Sequence, residues 1–203
     1  MFRPRAYAGP MSDLFCAATL VVARHGDADY VETWFSDEGG WLTVEGRGQS
    51  HALAAALADR RVSRVWASDT SRAVQTAEIV AHDLGLGGSQ PVIAHKALRE
   101  VYVGDLLGRP FDVARLTAVT DRWFAGDLAA RFPGGESGTD VLARYDGELT
   151  AIADQHRGET VLVVAHQLAT ALALWSRTGE RRMLDNGEWL ELAVDADDWR
   201  LVG

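Results

Sequence analysis

Two histidines stand where chemistry can be done. His25 and His166 each follow directly on an apolar run, 17–23 and 160–165, of the kind that forms a strand buried on both faces. Arg24 immediately precedes the first histidine, Arg72 falls in the first turn of an expected helix, and Glu100 ends a third strand-like stretch. Neutral imidazole is a good nucleophile toward phosphorus, and a covalent intermediate divides one difficult displacement into two easier steps. Such a transfer needs positive donors around the equatorial oxygens. Arginine supplies them in a planar fork that binds phosphate bidentately. The leaving oxygen needs a proton, which a carboxyl group can deliver. Nucleophile, clamp and acid are all present, provided that the fold brings them together.

The elements that must do so can be read along the chain. Residues 17–23 form the first strand, and 43–60 a helix with Thr43 as N-cap and Leu53, Ala56 and Leu57 on its apolar side. A strand over 62–67 leads to a helix over 71–84, ended by Gly85. Residues 91–98 read as a third strand and 110–130 as a helix interrupted at Gly126. After a Pro/Gly-rich loop at 132–138 come a helix (139–157), a strongly apolar strand (160–165) and a helix (167–177). Leu190, Leu192 and Val194 alternate along a half-exposed strand at 189–194, with a last strand at 199–202 able to pair with it. Strands alternating with helices predict a three-layer α/β sandwich. Its sheet is mostly parallel and doubly wound, with helices on both faces and a closing antiparallel hairpin. Ligands of such sheets bind beyond the carboxyl ends of the strands, where His25, Glu100 and His166 fall. Arg72 and Thr76, four residues apart, share a helix face.

The motifs around these residues resemble the histidine phosphatase superfamily, which includes the cofactor-dependent phosphoglycerate mutases. The resemblance runs through LVVARHG (20–26), LTVEGRGQ (42–49), SDTSRAVQTA (68–77), ALRE (97–100), FPGGES (132–137) and VLVVAHQ (161–167), in the family's order, over nearly all of 17–203. It implies that His25 is the phosphorylated nucleophile and that Arg24, Arg72 and His166 hold the phosphoryl group. Glu100 would be the acid toward the leaving group and then the base toward water. Asp27, Thr43 and Gln167 would border the substrate. No metal and no cofactor are implied. The chain departs from the family pattern where Gln167 follows the second histidine, where Val31 stands for a common asparagine, and where Asp27 replaces a longer acid. The mutases also carry an arginine after the catalytic glutamate, here Val101, and a neighbouring arginine pair, here the separated Arg115 and Arg122. These differences favour a phosphatase over a mutase and leave the phosphomonoester itself open. A catalytically weak interaction module of the same fold is the rival reading, but it has no reason to keep His25 and Glu100 together.

A second resemblance is weaker. Asp27-Ala28-Asp29 follows a strand, as in haloacid dehalogenase-like phosphatases. That chemistry wants the first aspartate directly at the strand end, where Arg24-His25-Gly26 intervenes, together with Mg²⁺ and a later lysine. Lys96 is the only lysine among the 20 basic side chains.

Length and composition set the frame. The 203 residues suit one catalytic domain at 17–203 after an extension at 1–16. A net charge of -9 argues against nucleic acid but not against a small phosphorylated metabolite, since a pocket's local potential can oppose the global one. No apolar run reaches membrane-spanning length and no signal peptide is apparent, so the expected location is cytoplasmic, away from membranes. The single cysteine, Cys16, excludes an intrachain disulfide and is expected to be half-buried. The C-terminal hairpin offers an edge for a homodimer. Trp34, Phe35, Trp41, Tyr102, Trp123 and Phe124 fall in segments expected to rim the pocket, with 101–136 as a lid. They hint at an apolar leaving group.

Overall fold

The computed structural model describes residues 16–29, 34–36, 39–86, 88, 90–195 and 198–202. All but the last residue of the expected 1–16 extension, and Val31, lie outside them. The chain runs β1 (Ala18–Arg24), α1 (Val44–Leu57), β2 (Val62–Ser68), α2 (Ser71–Asp83), β3 (Ile93–His95), α3 (Val113–Phe124), α4 (Gly138–Gln155), β4 (Thr160–Ala165), α5 (Gln167–Thr178), β5 (Trp189–Asp195) and β6 (Asp198–Leu201). Six strands form one sheet in the order β3-β2-β4-β1-β5-β6. The first four in that order are parallel to their neighbours. β5 runs antiparallel to β1, and β6 to β5, so the closing hairpin makes the sheet mixed, as the sequence predicts.

The period-two alternation of the strands divides the core into two layers. Leu20, Val22, Val161 and Val163 pack with Tyr145, Leu149 and Ile152 of α4 and Leu172 of α5. Val21, Ala23, Leu162 and Val164 pack with Leu53 and Leu57 of α1 and Ala73, Ala77 and Val80 of α2. Helices therefore cover both faces, giving the three-layer sandwich. β1 and β4 lie at the centre of the sheet, which is why their sequences are continuous apolar runs. Their register sets Arg24 opposite Ala165. His25 and His166, the next residue of each strand, are thereby delivered side by side.

Several boundaries differ from the sequence reading. The third strand is only Ile93–His95 and passes at once into a 3-10 turn at Lys96–Leu98. It is an edge strand, paired on one side only, and its apolar pattern reflects packing of Ile93 and Leu98 rather than a long ladder. The helix expected over 110–130 is confined to Val113–Phe124. Asp112 caps its start by accepting from Ala114 N–H at 2.9 Å, and Gly126, at φ +98°, turns the chain away after its end. β5 has no fully polar face, because Glu191 is buried and its carboxylate meets Arg60 at 2.8 Å. Cys16 is exposed rather than half-buried. No helix of the described residues is long and apolar enough to cross a membrane.

Candidate active site

The site begins with the turn that follows β1. His25 N–H continues the β1–β4 ladder to Ala165 O at 3.1 Å. Gly26 then brings the chain so close to α1 that a Cβ on it would lie 2.4 Å from Gly46 O, and one on Gly46 would lie 1.9 Å from Asp27 O. Only two glycines let these backbones meet. Gly26 N–H donates to Thr76 Oγ1 at 3.0 Å, and the Thr76 hydroxyl donates to Arg72 O at 2.8 Å. From the other side Asn186 Nδ2 donates to His25 O at 3.0 Å. The turn is thus held by α1, α2 and the loop before β5.

This bracing fixes the imidazole. His25 is 4% exposed, and its Nδ1 lies 2.7 Å from Gly26 O. A carbonyl can only accept, so Nδ1 carries the proton and Nε2 keeps its lone pair. Nε2 accepts from Arg72 Nε at 3.1 Å. Arg72 also reaches His166 Nδ1 through NH2 at 3.4 Å and Gly39 O through NH1 at 3.4 Å. His166, 1% exposed, has its other nitrogen 3.4 Å from Thr70 Oγ1. The two imidazoles stand edge to face with centroids 5.1 Å apart. Burial, then the Arg72 charge, and to a smaller extent Arg24, push His25 from the ordinary 6.5 down to about 3, against the pull of the Gly26 carbonyl. Burial, followed by the neighbouring His25 and Arg72, also holds His166 well below the ordinary value. The result is a neutral, oriented imidazole beside two permanent cations. Arg24 donates to Leu184 O at 3.0 Å, and its buried Nε–H has no acceptor among the described residues. An unpaired buried donor is costly, and Arg24 is among the residues that line the site.

Glu100 arrives from the opposite wall. Its Oε1 accepts from Val101 N–H at 3.0 Å and Ala169 N–H at 2.8 Å, and its Oε2 from Leu168 N–H at 2.9 Å. The carboxylate therefore serves the first amides of α5, which has no side-chain cap of its own. The 97–102 segment that presents it is tied down by Arg144. Arg144 directs NH1 to Ala97 O and Arg99 O at 2.9 and 2.7 Å, and NH2 to Glu100 O at 2.9 Å. Nε and NH2 also take Glu136 bidentately at 2.6 and 2.8 Å, and Glu136 accepts from Tyr102 N–H at 2.8 Å.

Arg24, His25, Arg72, Glu100, His166 and Gln167, with Ser36 and Gly39, line one cavity of about 170 Å³. Gln167 donates to Leu184 O at 2.8 Å, the carbonyl that Arg24 also uses. Asp27 and Thr43 are not on this wall. The Thr43 hydroxyl donates to the Asp27 carboxylate at 2.6 Å and accepts from Gly46 N–H at 3.0 Å, capping α1. The pair joins α1 to the His25 turn. The aromatics also divide. Phe35 and Tyr102 line a larger neighbouring cavity. Trp123 is core, donating to Ala130 O at 2.7 Å, Phe124 meets Trp175 edge to face, and Trp34 and Trp41 are exposed.

The sequence reading missed Arg144, Glu136 and Asn186 as parts of the site. Glu136 lay inside FPGGES, and its motif was the only signal. Arg144 sits on a helix with partners 44 to 47 residues away, which no local pattern discloses. Among the described residues no three His, Cys, Asp or Glu side chains are grouped to hold a metal ion.

Comparison with known proteins agrees with this geometry. Residues 20–203 match the family model of the histidine phosphatase superfamily (branch 1). Phosphoglycerate mutase-like protein 4 of Arabidopsis thaliana is 32% identical over 161 residues, covering 73% of this chain and 66% of that protein. The chain thus spans about two thirds of that relative's length. Among solved structures, Bacillus stearothermophilus YhfR superposes with a TM-score of 0.76 at 25% identity, over 91% of this chain and 95% of that one. A mycobacterial glucosyl-3-phosphoglycerate phosphatase does so at 0.72 and 25%, over 91% and 96%. With the match running from β1 to the C-terminal hairpin, the chain belongs to the histidine phosphatase superfamily.

Proposed function

We propose that this protein is a phosphatase that hydrolyses a small phosphomonoester through a phosphohistidine at His25. The observation that carries the reading is the imidazole itself, neutral, with Nδ1–H locked on Gly26 O and the Nε2 lone pair directed at Arg72. When a phosphoryl group enters, the Arg72 guanidinium exchanges Nε2 for phosphoryl oxygens, and Arg24, which lines the same cavity, adds a second positive charge. His25 Nε2 then attacks phosphorus, an N–P bond forms, and the P–O bond to the leaving group breaks. A proton from the Glu100 carboxyl goes to the departing oxygen. Oε2, which carries one amide where Oε1 carries two, has the greater capacity for that proton. In the second half water attacks phosphorus, Glu100 takes its proton, the N–P bond breaks and phosphate leaves. The two guanidiniums and His166 are the clamp, so the reaction needs no metal and activity is expected to survive EDTA.

Hydrolysis is favoured over mutase chemistry because, among the described residues, the positions that match the mutases' glycerate-holding arginines place none on the phosphoryl pocket. Arg115 pairs with Asp112 and Arg122 with Asp127, and Val101 holds the position of the mutases' arginine. Each absent charge-assisted contact is worth about 1.5–3 kcal/mol, so the acceptor would leave before the phosphoryl group could return to it. The test is incubation with 3-phosphoglycerate and 2,3-bisphosphoglycerate, following 2-phosphoglycerate and free phosphate together. Phosphate release through an acid-labile adduct that is absent from His25→Ala is the expected outcome. Interconversion with little phosphate released overturns the phosphatase in favour of a mutase.

A further inference from the structure

The phosphoryl pocket is the narrow end of a longer space. A second cavity of about 830 Å³ shares Ser36, Arg72, Glu100 and Gln167 with it. Past Glu100 the wall turns apolar, through Phe35, Val103, Leu107, Phe111, Leu116 and Met183. α3 forms one side of it. Phe111 and Phe35 pack on each other with centroids 4.9 Å apart.

Most of the basic groups of this wall are already engaged by the protein. Arg144 is committed to Glu136 and to three carbonyls, and Arg99 chelates Asp69 at 2.5 and 3.0 Å. Arg181 lies 4.0 Å over the Phe124 ring and 3.7 Å from Asp121. Lys96, the remaining basic residue, is exposed. An acceptor rich in hydroxyls or carboxylates would find few free partners in the depth of this cavity, and burying it there unpaired is costly. An apolar group gains by leaving water for it.

The geometry points to the substrate class: a phosphomonoester whose alcohol is a medium-chain alkyl or an aryl group, lying along α3 between Phe111, Leu116 and Met183 while the phosphoryl group meets His25. This rests on the phosphatase reading, and it commits the cavity to the leaving group because the two spaces share the Glu100 wall, where that group's oxygen must be.

Binding and turnover separate the two claims. n-Alkyl phosphonates from ethyl to decyl, which cannot be hydrolysed, are titrated by calorimetry. Kd should fall about three- to fourfold per added methylene until the cavity is filled, and kcat/KM for the matching alkyl phosphates should follow. Phe111→Ser, at a half-exposed position, and Leu116→Asn should each flatten both series. A Kd independent of chain length in the parent protein overturns this inference, whatever the turnover. A steep binding series without hydrolysis of octyl phosphate supports the cavity's role as an apolar subsite and defeats the phosphatase reading instead.

Discussion

At the scale of single residues the site is organised around two acceptors with different duties. His25 Nε2 must be empty of a proton, and burial among guanidiniums ensures it. In the proposed reaction Glu100 would pass a proton to the leaving oxygen, while three backbone amides hold its carboxylate in place. These two demands on Glu100 can be told apart. Glu100→Gln keeps the size and one carbonyl acceptor but has no proton to transfer. Loss of general acid catalysis typically costs 10²- to 10⁴-fold where the leaving group is poor. Turnover of an alkyl phosphate should therefore fall by about 10²-fold or more, while p-nitrophenyl phosphate, whose phenolate leaves without help, should change far less. Equal losses on both substrates would reduce Glu100 to an anchor for α5.

At the scale of elements the design is one of strand ends presented by braced segments. Arg144 of α4 uses all its donor groups on Glu136 and on the carbonyls of 97, 99 and 100, so the 97–102 segment has a fixed course past α5. Arg144→Lys keeps the charge but cannot span these acceptors, because an ammonium is a point donor rather than a planar fork. We expect kcat on alkyl phosphates to drop about tenfold or more, in the range of general acid loss, with KM little changed. Combining it with Glu100→Gln should add almost nothing, since both act through one proton transfer. Additive losses in that cycle, or equal damage to p-nitrophenyl phosphate, would make Arg144 a matter of stability alone. Which elements were legible follows the same division. β1, β2, β4 and the helices beside them announce themselves by apolar period, by the Thr43 cap and by motifs at their ends. His25, Arg72, Glu100, His166, Arg24 and Gln167 could be placed on one pocket because strand ends in a doubly wound sheet converge. β3 and α3 were read too long, because an apolar stretch does not reveal whether it has a ladder partner or where a glycine at positive φ will turn the chain. Asp27 and Thr43, expected to border the substrate, pair with each other beside the His25 turn, a contact that adjacency to a motif does not disclose. Arg144 was invisible, since its role exists only across the fold.

For the whole molecule, placing two neutral histidines in the heart of the fold has a thermodynamic consequence. In the unfolded chain both titrate near the ordinary 6.5, whereas in the fold His25 holds off protonation until about 3 and His166 lies well below its ordinary value. Between those limits the unfolded state binds up to two more protons than the folded one, so stability must rise with pH and fall as the medium is acidified. Each histidine contributes a slope of about 1.4 kcal/mol per pH unit once the pH is clearly below 6.5. The carboxylates whose folded values are lowered, among them Glu159 and Glu188, start from an ordinary 4.5 and Asp140 from 3.8, so their loss of stability begins only at more acid pH. The window from pH 6.5 to 5 therefore isolates the histidines. Urea unfolding in phosphate-free buffer should show a free energy that declines across this window, since a bound anion would otherwise stabilise the fold. His166→Gln should remove about half of the decline, whatever it does to the absolute stability, because one of the two proton-linked groups is gone. A wild-type free energy that stays level from pH 6.5 to 5 would mean that the imidazoles accept protons inside the fold. In that case Nε2 of His25 would not be available as the nucleophile at mildly acid pH.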